Sequence, residues 1–322
     1  MTTEGGRPLK NAMIPPEYIH LSDLVDRQLS VFPGHVAYLQ KRFANMEESK
    51  FPFINEIALR ITQIAGGALD KICDDYRWLS AMVLEEELHF RREGRYRLSK
   101  FEDAAAQVYA NKEFMSRYMN GLLMSQLWWS NHTESLRFFR DVFIDQNGPD
   151  FSHLEIGPGH GLYLYLAVSS PKVGSATGWD ISEASLANTG AALHAMGVGR
   201  AINLEKRDLF NIPTGPTFKS ITFSEVLEHL ERPQEALKIL HVLLADDGRL
   251  FVNAPVNSPA PDHLYLFETP EQVVEMVEAA GFEVESRLFS PCTGATLERA
   301  RKIKLSISVA IIARKKMETV HE

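Results

Sequence analysis

His153–Tyr165 reads HLEIGPGHGLYLY, and the rest of the chain is organised around it. Leu154 and Ile156 mark a short apolar strand. Gly157-Pro158-Gly159-His160-Gly161 breaks it, and Leu162–Tyr165 opens an apolar helix. Strand, glycine turn and helix in that order aim backbone amides and a helix N-terminus at a nucleotide-like ligand. Gly157 and Gly159 have no Cβ, so the turn can be tight and a ligand can approach the backbone. A dinucleotide fingerprint requires Gly-x-Gly-x-x-Gly. Here Leu162 holds the sixth position, and the third glycine falls one residue early. Glu155, inside the strand, would repel a pyrophosphate but suits a cationic amino group.

The pattern Glu155-x-Gly157-x-Gly159-x-Gly161 resembles motif I of the class I S-adenosylmethionine (SAM) methyltransferases. The resemblance implies that Glu155, Gly157, Pro158, Gly159 and Gly161 hold the methionine part of SAM.

Asn147-Gly148-Pro149-Asp150 is a turn cluster and the expected boundary between two domains, 1–146 and 147–322. Beyond it, strands and helices alternate, which predicts an α/β fold with a mostly parallel sheet and helices on both faces. Strands are expected at 152–156, Ala176–Asp180, Ala201–Leu204, Ser220–Phe223, Arg249–Asn253, Phe282–Phe289 and Lys304–Ala313, the last two as an antiparallel edge pair. Such a Rossmann-like seven-stranded layout resembles the class I methyltransferases over about residues 150–314.

Before the boundary the pattern is helical. Ile54, Ile57, Ala58, Ile61 and Ile64 line one face of a helix over Phe53–Asp70, and a second helix spans Asp75–Arg92. Arg95–Leu98 is read as a short strand, with a further helix running to Ala110. Lys112–Ile144 carries aromatics and methionines on more than one face, which predicts a long helix buried on several sides. This mainly α-helical N-terminal domain is expected to form a lid, line the substrate pocket and support a homodimer.

In an open α/β sheet the ligand sits beyond the carboxyl ends of the strands. Asp180, about 20 residues past the glycine turn, has the spacing of an acid that grips ribose hydroxyls. The resemblance assigns Asp208 to the adenine amino group and Leu209 to the face of its ring. Ile181, Ser224 and Glu225 stand at the same strand ends and complete the expected cofactor contacts. Ser224–Pro233 reads SEVLEHLERP. Glu225, Glu228 and His229 can converge there on one point. The group resembles the Glu-x-x-Glu-His metal site of ubiquinone-pathway O-methyltransferases and of plant small-RNA 2′-O-methyltransferases, with His263 as the matching downstream ligand. A Mg²⁺, Mn²⁺ or Zn²⁺ ion on Glu225, Glu228, His229 and His263 would lower the pKa of a substrate hydroxyl. Without a metal, His229 or His263 could serve as general base, because imidazole titrates near neutrality. His132, in the WSNH group of the long helix, is a third candidate base.

The chain has 322 residues, 45% hydrophobic and 24% charged, with net charge −8. These values describe a globular protein and weigh against one that relies on neutralising phosphates. RREGRYR at 91–97 is read as a solvated turn rather than an anion site. Cys73 and Cys292 have neither disulfide nor metal spacing and fit a reducing cytoplasm. No signal peptide or membrane span is expected. The expected activity is SAM-dependent methylation of a small, partly apolar or aromatic molecule in specialised metabolism, O-methylation ahead of N- or C-methylation. Three alternatives stand beside it: a metal-assisted transfer to a hydroxyl or an RNA 2′-hydroxyl, a nicotinamide-dependent oxidoreductase, and a non-catalytic SAM-binding regulatory subunit.

Overall fold

The computed structural model describes residues 13–44, 46–211 and 215–316. Seven helices come first: α1 (Ile19–Val31), α2 (Val36–Phe43), α3 (Phe51–Ala65), α4 (Leu69–Glu93), the short α5 (Phe101–Ala104), α6 (Lys112–Trp128) and α7 (Ser130–Phe138). The sheet strands are β1 (Phe151–Ile156), β2 (Val173–Asp180), β3 (Asn203–Lys206), β4 (Phe218–Ser224), β5 (Leu244–Val256), β6 (Phe282–Pro291) and β7 (Ile307–Lys315). Between them lie α8 (Leu162–Val168), α9 (Glu183–Ala195), α10 (Pro233–Leu243), α11 (Pro270–Ala279) and α12 (Leu297–Lys302). The strand order is β3-β2-β1-β4-β5-β7-β6. β1 to β5 pair in parallel, and β7 inserts antiparallel between β5 and β6. The seven-stranded, mostly parallel sheet is the fold that the alternating pattern predicts.

Alternation along the strands divides the interior into two cores. Leu154, Ile221, Phe223, Leu250, Val252 and Ile311 face α10 and α11. Phe251, Ala310 and Ile312 face the other way and join one continuous core with α8 and the N-terminal helices. Phe251 meets Phe138, Phe139, Phe143 and Tyr163, with centroids between 5.1 and 6.3 Å apart. The helical region is thus packed directly onto one sheet face, which explains why the Lys112–Ile144 stretch is apolar nearly all round.

That stretch is not one helix. It breaks at Trp129, whose φ/ψ of −92°/118° is extended. Trp128 turns into the helical core and donates to Gln28 at 3.0 Å, while Trp129 donates to the Tyr76 hydroxyl at 3.1 Å. A continuous helix would direct two adjacent indoles only 100° apart and could not seat both. The break is secured by Thr133, which donates to the Gln126 carbonyl at 2.8 Å, and by Thr293, which accepts from the Ser130 amide at 2.9 Å. The expected strand at Arg95–Leu98 is irregular chain instead, and no strand among the described residues pairs with it. Gly94 ends α4 at φ 69°, as a left-handed C-terminal residue should. β5 extends further at both ends than periodicity suggested and β2 begins three residues earlier, while β3 and β7 begin two and three residues later than expected and end two residues later.

Candidate active site

The glycine turn follows β1, with φ of 69° at Gly157, 49° at Gly159 and 74° at Gly161. These are values that L-side chains rarely adopt. A Cβ on Gly157 would lie 3.0 Å from Val226, and one on Gly159 would lie 3.6 Å from Met119 of α6. The turn is tied down by its neighbours. The Gly157 amide donates to the Trp179 carbonyl at 2.8 Å, and Thr189 donates to the Gly159 carbonyl at 2.8 Å. Glu155 is 3% exposed, and its Oε2 has no partner. Burial pushes its carboxyl well above the usual range. A buried carboxylate beside an open backbone cradle fits a ligand that brings an ammonium group, such as the methionine end of SAM.

The other strand-end residues follow in order. Asp180 ends β2 and accepts from the Ser182 amide at 2.8 Å and from the Ser185 hydroxyl at 2.7 Å. Ser182 itself caps α9 by accepting from the Ser185 amide at 3.2 Å. Ile181 is 53% exposed beside it. Asp208 and the buried Leu209 follow β3 next to a cleft of about 520 Å³ lined by Glu205, Lys206, Arg207, Asp208 and Asn211. Asp208 accepts from the Phe210 amide at 3.0 Å. Pro158 is buried in the turn, and Ser224 accepts from Asn253 at 3.2 Å.

Beyond β4, Glu225 sits at φ 54° and receives a 2.6 Å hydrogen bond from Asn253. Burial pushes its carboxyl up to about 8. Glu228, fully buried, has no partner on either carboxylate oxygen, and burial with Glu225 and Asp262 nearby pushes it well upward. One ligand atom each from Glu228, His229 and His263 lies within 4.8 Å of the others. Glu225 is outside this trio, because its carboxylate is held by Asn253. The His229 and His263 rings meet edge to face, 5.0 Å apart. His229 Nδ1 faces the Asp262 carbonyl at 3.1 Å, and His263 Nδ1 faces the Ser258 carbonyl at 2.6 Å. A carbonyl only accepts, so both rings carry their proton on Nδ1 and present the lone pair of Nε2. Burial holds His263 down at about 4.

His132 is close to this group but is turned differently. Its Nδ1 lies between the Ser125 hydroxyl at 3.1 Å and the Gln126 side-chain nitrogen at 3.2 Å, on α6 rather than on the loop after β5. Burial, with His160 and His263 nearby, pushes it down to about 3.

A family model described as a methyltransferase domain matches residues 128–287. This chain carries a methyltransferase domain with the class I SAM-dependent fold. Its fold is shared with the N1-methyltransferase for 1,6-didemethyltoxoflavin from Burkholderia thailandensis, at 19% identity and a TM-score of 0.51 over 69% of this chain and 93% of that one. Mitomycin 7-O-methyltransferase gives a TM-score of 0.49 at 16% identity, over 79% of this chain and 73% of that one. The N-methyltransferase NodS from Bradyrhizobium japonicum gives 0.47 at 17% identity, over 58% of this chain and 89% of that one. Among curated proteins none matches the methyltransferase significantly in sequence. No helix among its described residues is long and apolar enough to cross a membrane.

The sequence singled out neither the partners of these histidines nor their cover. Asp262 and Asn253 border the site, and Tyr96, Tyr109 and Tyr118 reach it from the helical region. Tyr96 accepts from the Ser258 amide at 3.0 Å, and Tyr118 donates to Asp262 at 2.8 Å. Isolated tyrosines in a helical stretch carry no sequence signal for such contacts. The proximity of Asp262 to His263 in the chain was the one available hint.

Proposed function

We propose that the enzyme transfers the SAM methyl group to a hydroxyl of a small, partly apolar or aromatic molecule, with His229 as general base. The observation that carries this reading is the convergence of Glu228, His229 and His263 within 4.8 Å at the strand ends, next to the glycine turn. Glu155 and the glycines would hold the methionine part, Asp180 the ribose hydroxyls, and Asp208 with Leu209 the adenine. Bound SAM supplies a methyl group already activated by its sulfonium. The chain's task is to align the acceptor oxygen, exclude water and take its proton. His229 Nε2 has the lone pair for that step. The buried oxygens of Glu228, with Oδ1 of Asn253, lack partners and favour an acceptor that donates hydrogen bonds. Met119 and the aromatic residues of the helical region, 1–146, would supply the apolar wall and the lid. Leu84 and Leu88, both more than half exposed on α4, support a homodimer through that region, which light scattering would test.

A labelled-methyl assay over phenols, alcohols and amines tests the reading. Transfer to hydroxyl acceptors, lost about 100-fold or more in His229→Asn, is expected. SAM binding without transfer to any acceptor would overturn it.

A second reading is favoured by Glu228. A carboxylate buried with both oxygens unpaired, facing two imidazole lone pairs, has the donor chemistry for a divalent cation. Glu228, His229 and His263 would hold it, and it would acidify the acceptor hydroxyl. Elemental analysis of the purified chain and activity in chelator separate the two readings. Full activity in chelator removes the metal.

A further inference from the structure

Asp262 joins the helical region to the imidazole of His229. It lies in the loop after β5 and is 3% exposed. On one side Tyr118 of α6, also 3% exposed, donates to its Oδ1 at 2.8 Å. Tyr109 stands 3.4 Å from its Oδ2. On the other side the Asp262 carbonyl accepts from His229 Nδ1 at 3.1 Å, and its Oδ2 lies 3.5 Å from the same nitrogen. His229 Nε2 faces Glu228 Oε1 at 3.8 Å. One loop residue is thus gripped by a phenol of the helical region and itself grips the imidazole.

The chemistry of these groups gives the arrangement a direction. Carbonyl and carboxylate oxygens accept only, so Asp262 demands a proton on His229 Nδ1 and leaves Nε2 bare. Tyr109 also lies 3.4 Å from Nδ1, and a phenol could donate there and reverse the tautomer. Two acceptor atoms of Asp262 oppose that, provided the loop stays in place. Tyr118 makes the shortest bond to the Asp262 side chain, while the Leu264 and Tyr265 amides tie the chain beyond it to the Glu228 carbonyl at 2.8 and 2.9 Å. Without Tyr118, the buried carboxylate would lose its best donor, and Asp262 would have reason to turn away from His229.

We propose that Tyr118 and Asp262 are positioning residues, through which the helical region sets the tautomer and direction of the His229 ring. The inference rests on His229 as the base of the proposed reaction, but it has a readout of its own. Docking of the lid and readiness of the base are then one event: a lid lifted off releases Asp262 and with it the imidazole.

The test uses the full chain labelled with ¹⁵N-histidine and saturated with S-adenosylhomocysteine. Long-range ¹H–¹⁵N correlation reads the tautomer of each ring, and His229→Gln assigns the signal. The wild type is expected to show His229 protonated on Nδ1. Tyr118→Phe and Asp262→Asn are expected to mix the tautomers and lower kcat about 10- to 100-fold, with little change in KM for SAM. A wild-type His229 protonated on Nε2 overturns the proposal, and this spectrum needs no variant to fold. Unchanged tautomer in a folded Tyr118→Phe also overturns it, whatever happens to kcat. Should His229→Gln keep full kcat while the tautomer still responds to Tyr118→Phe, the base assignment fails and the positioning stands.

Discussion

Asn253 and Glu225 clasp one another across β5 and the end of β4. The Asn253 side-chain amide donates to Glu225 Oε1 at 2.6 Å, and the Glu225 main-chain amide donates to the Asn253 carbonyl at 2.8 Å. The clasp holds Glu225 at φ 54°, at the start of the segment that carries Glu228 and His229. Asn253→Ala leaves a buried carboxyl without that donor and is expected to cost about 1–3 kcal/mol. Urea unfolding measures it. A loss below a few tenths of a kcal/mol would show that the clasp is incidental.

Gly157→Ala puts a Cβ 3.0 Å from Val226 in a residue at φ 69°. The left-handed conformation alone costs about 1–2 kcal/mol. The expected result is lower stability together with weaker SAM binding, since relief of either strain moves the turn. Adding Val226→Ala should restore only the steric part, and a double-mutant cycle reads the coupling.

Asp180 already accepts two hydrogen bonds, from Ser182 and Ser185, and these aim its carboxylate. If it also grips ribose hydroxyls, Asp180→Ala removes charged hydrogen bonds of about 1.5–3 kcal/mol, or roughly 10- to 150-fold in SAM affinity. Calorimetry measures this directly. Equal SAM affinity in variant and wild type would remove Asp180 from the cofactor site.

Burial of His153 lowers stability as the medium becomes acidic, opposed by the buried carboxyls of Glu155, Glu225 and Glu228, whose upward shifts favour the folded chain there. His153 is fully buried on β1, its Nδ1 2.9 Å from the Ser220 hydroxyl, and burial pushes it down to about 3. The ordinary histidine value is about 6.5. Between those values the unfolded chain binds a proton that the folded chain refuses, so stability is full above about 6.5 and drains away below it. One such histidine accounts for about 2 kcal/mol between pH 7 and pH 5. His35, His132, His160 and His263 shift the same way. His153→Asn should lose less stability than the wild type over that interval, even if it is less stable at pH 7. Parallel losses would show that His153 does not take part.

Much of the catalytic half was legible because local patterns suffice there. Gly157, Gly159 and Gly161 stand where residues with a Cβ rarely adopt the required φ, and Asp180 and Glu228 lie at strand ends whose alternation is written in the residues themselves. The strand count and the antiparallel edge pair followed from the same signals. Lys112–Ile144 shows the limit. Its apolar character was plain, but not its break at Trp129, because that break exists to seat two indoles against Gln28 and Tyr76, residues far away in the chain.

By itself, then, the amino-acid sequence determined an α/β sheet with a glycine turn and acids at the strand ends, since period, turn chemistry and spacing are properties of neighbours. Only the tertiary structure decided how the histidines are held. Nothing local relates Tyr118 to Asp262, 144 residues later, or Asp262 to His229. Those relations arise when the helical region closes on the loop after β5. Burial then sets which nitrogens carry protons and which oxygens go unpaired.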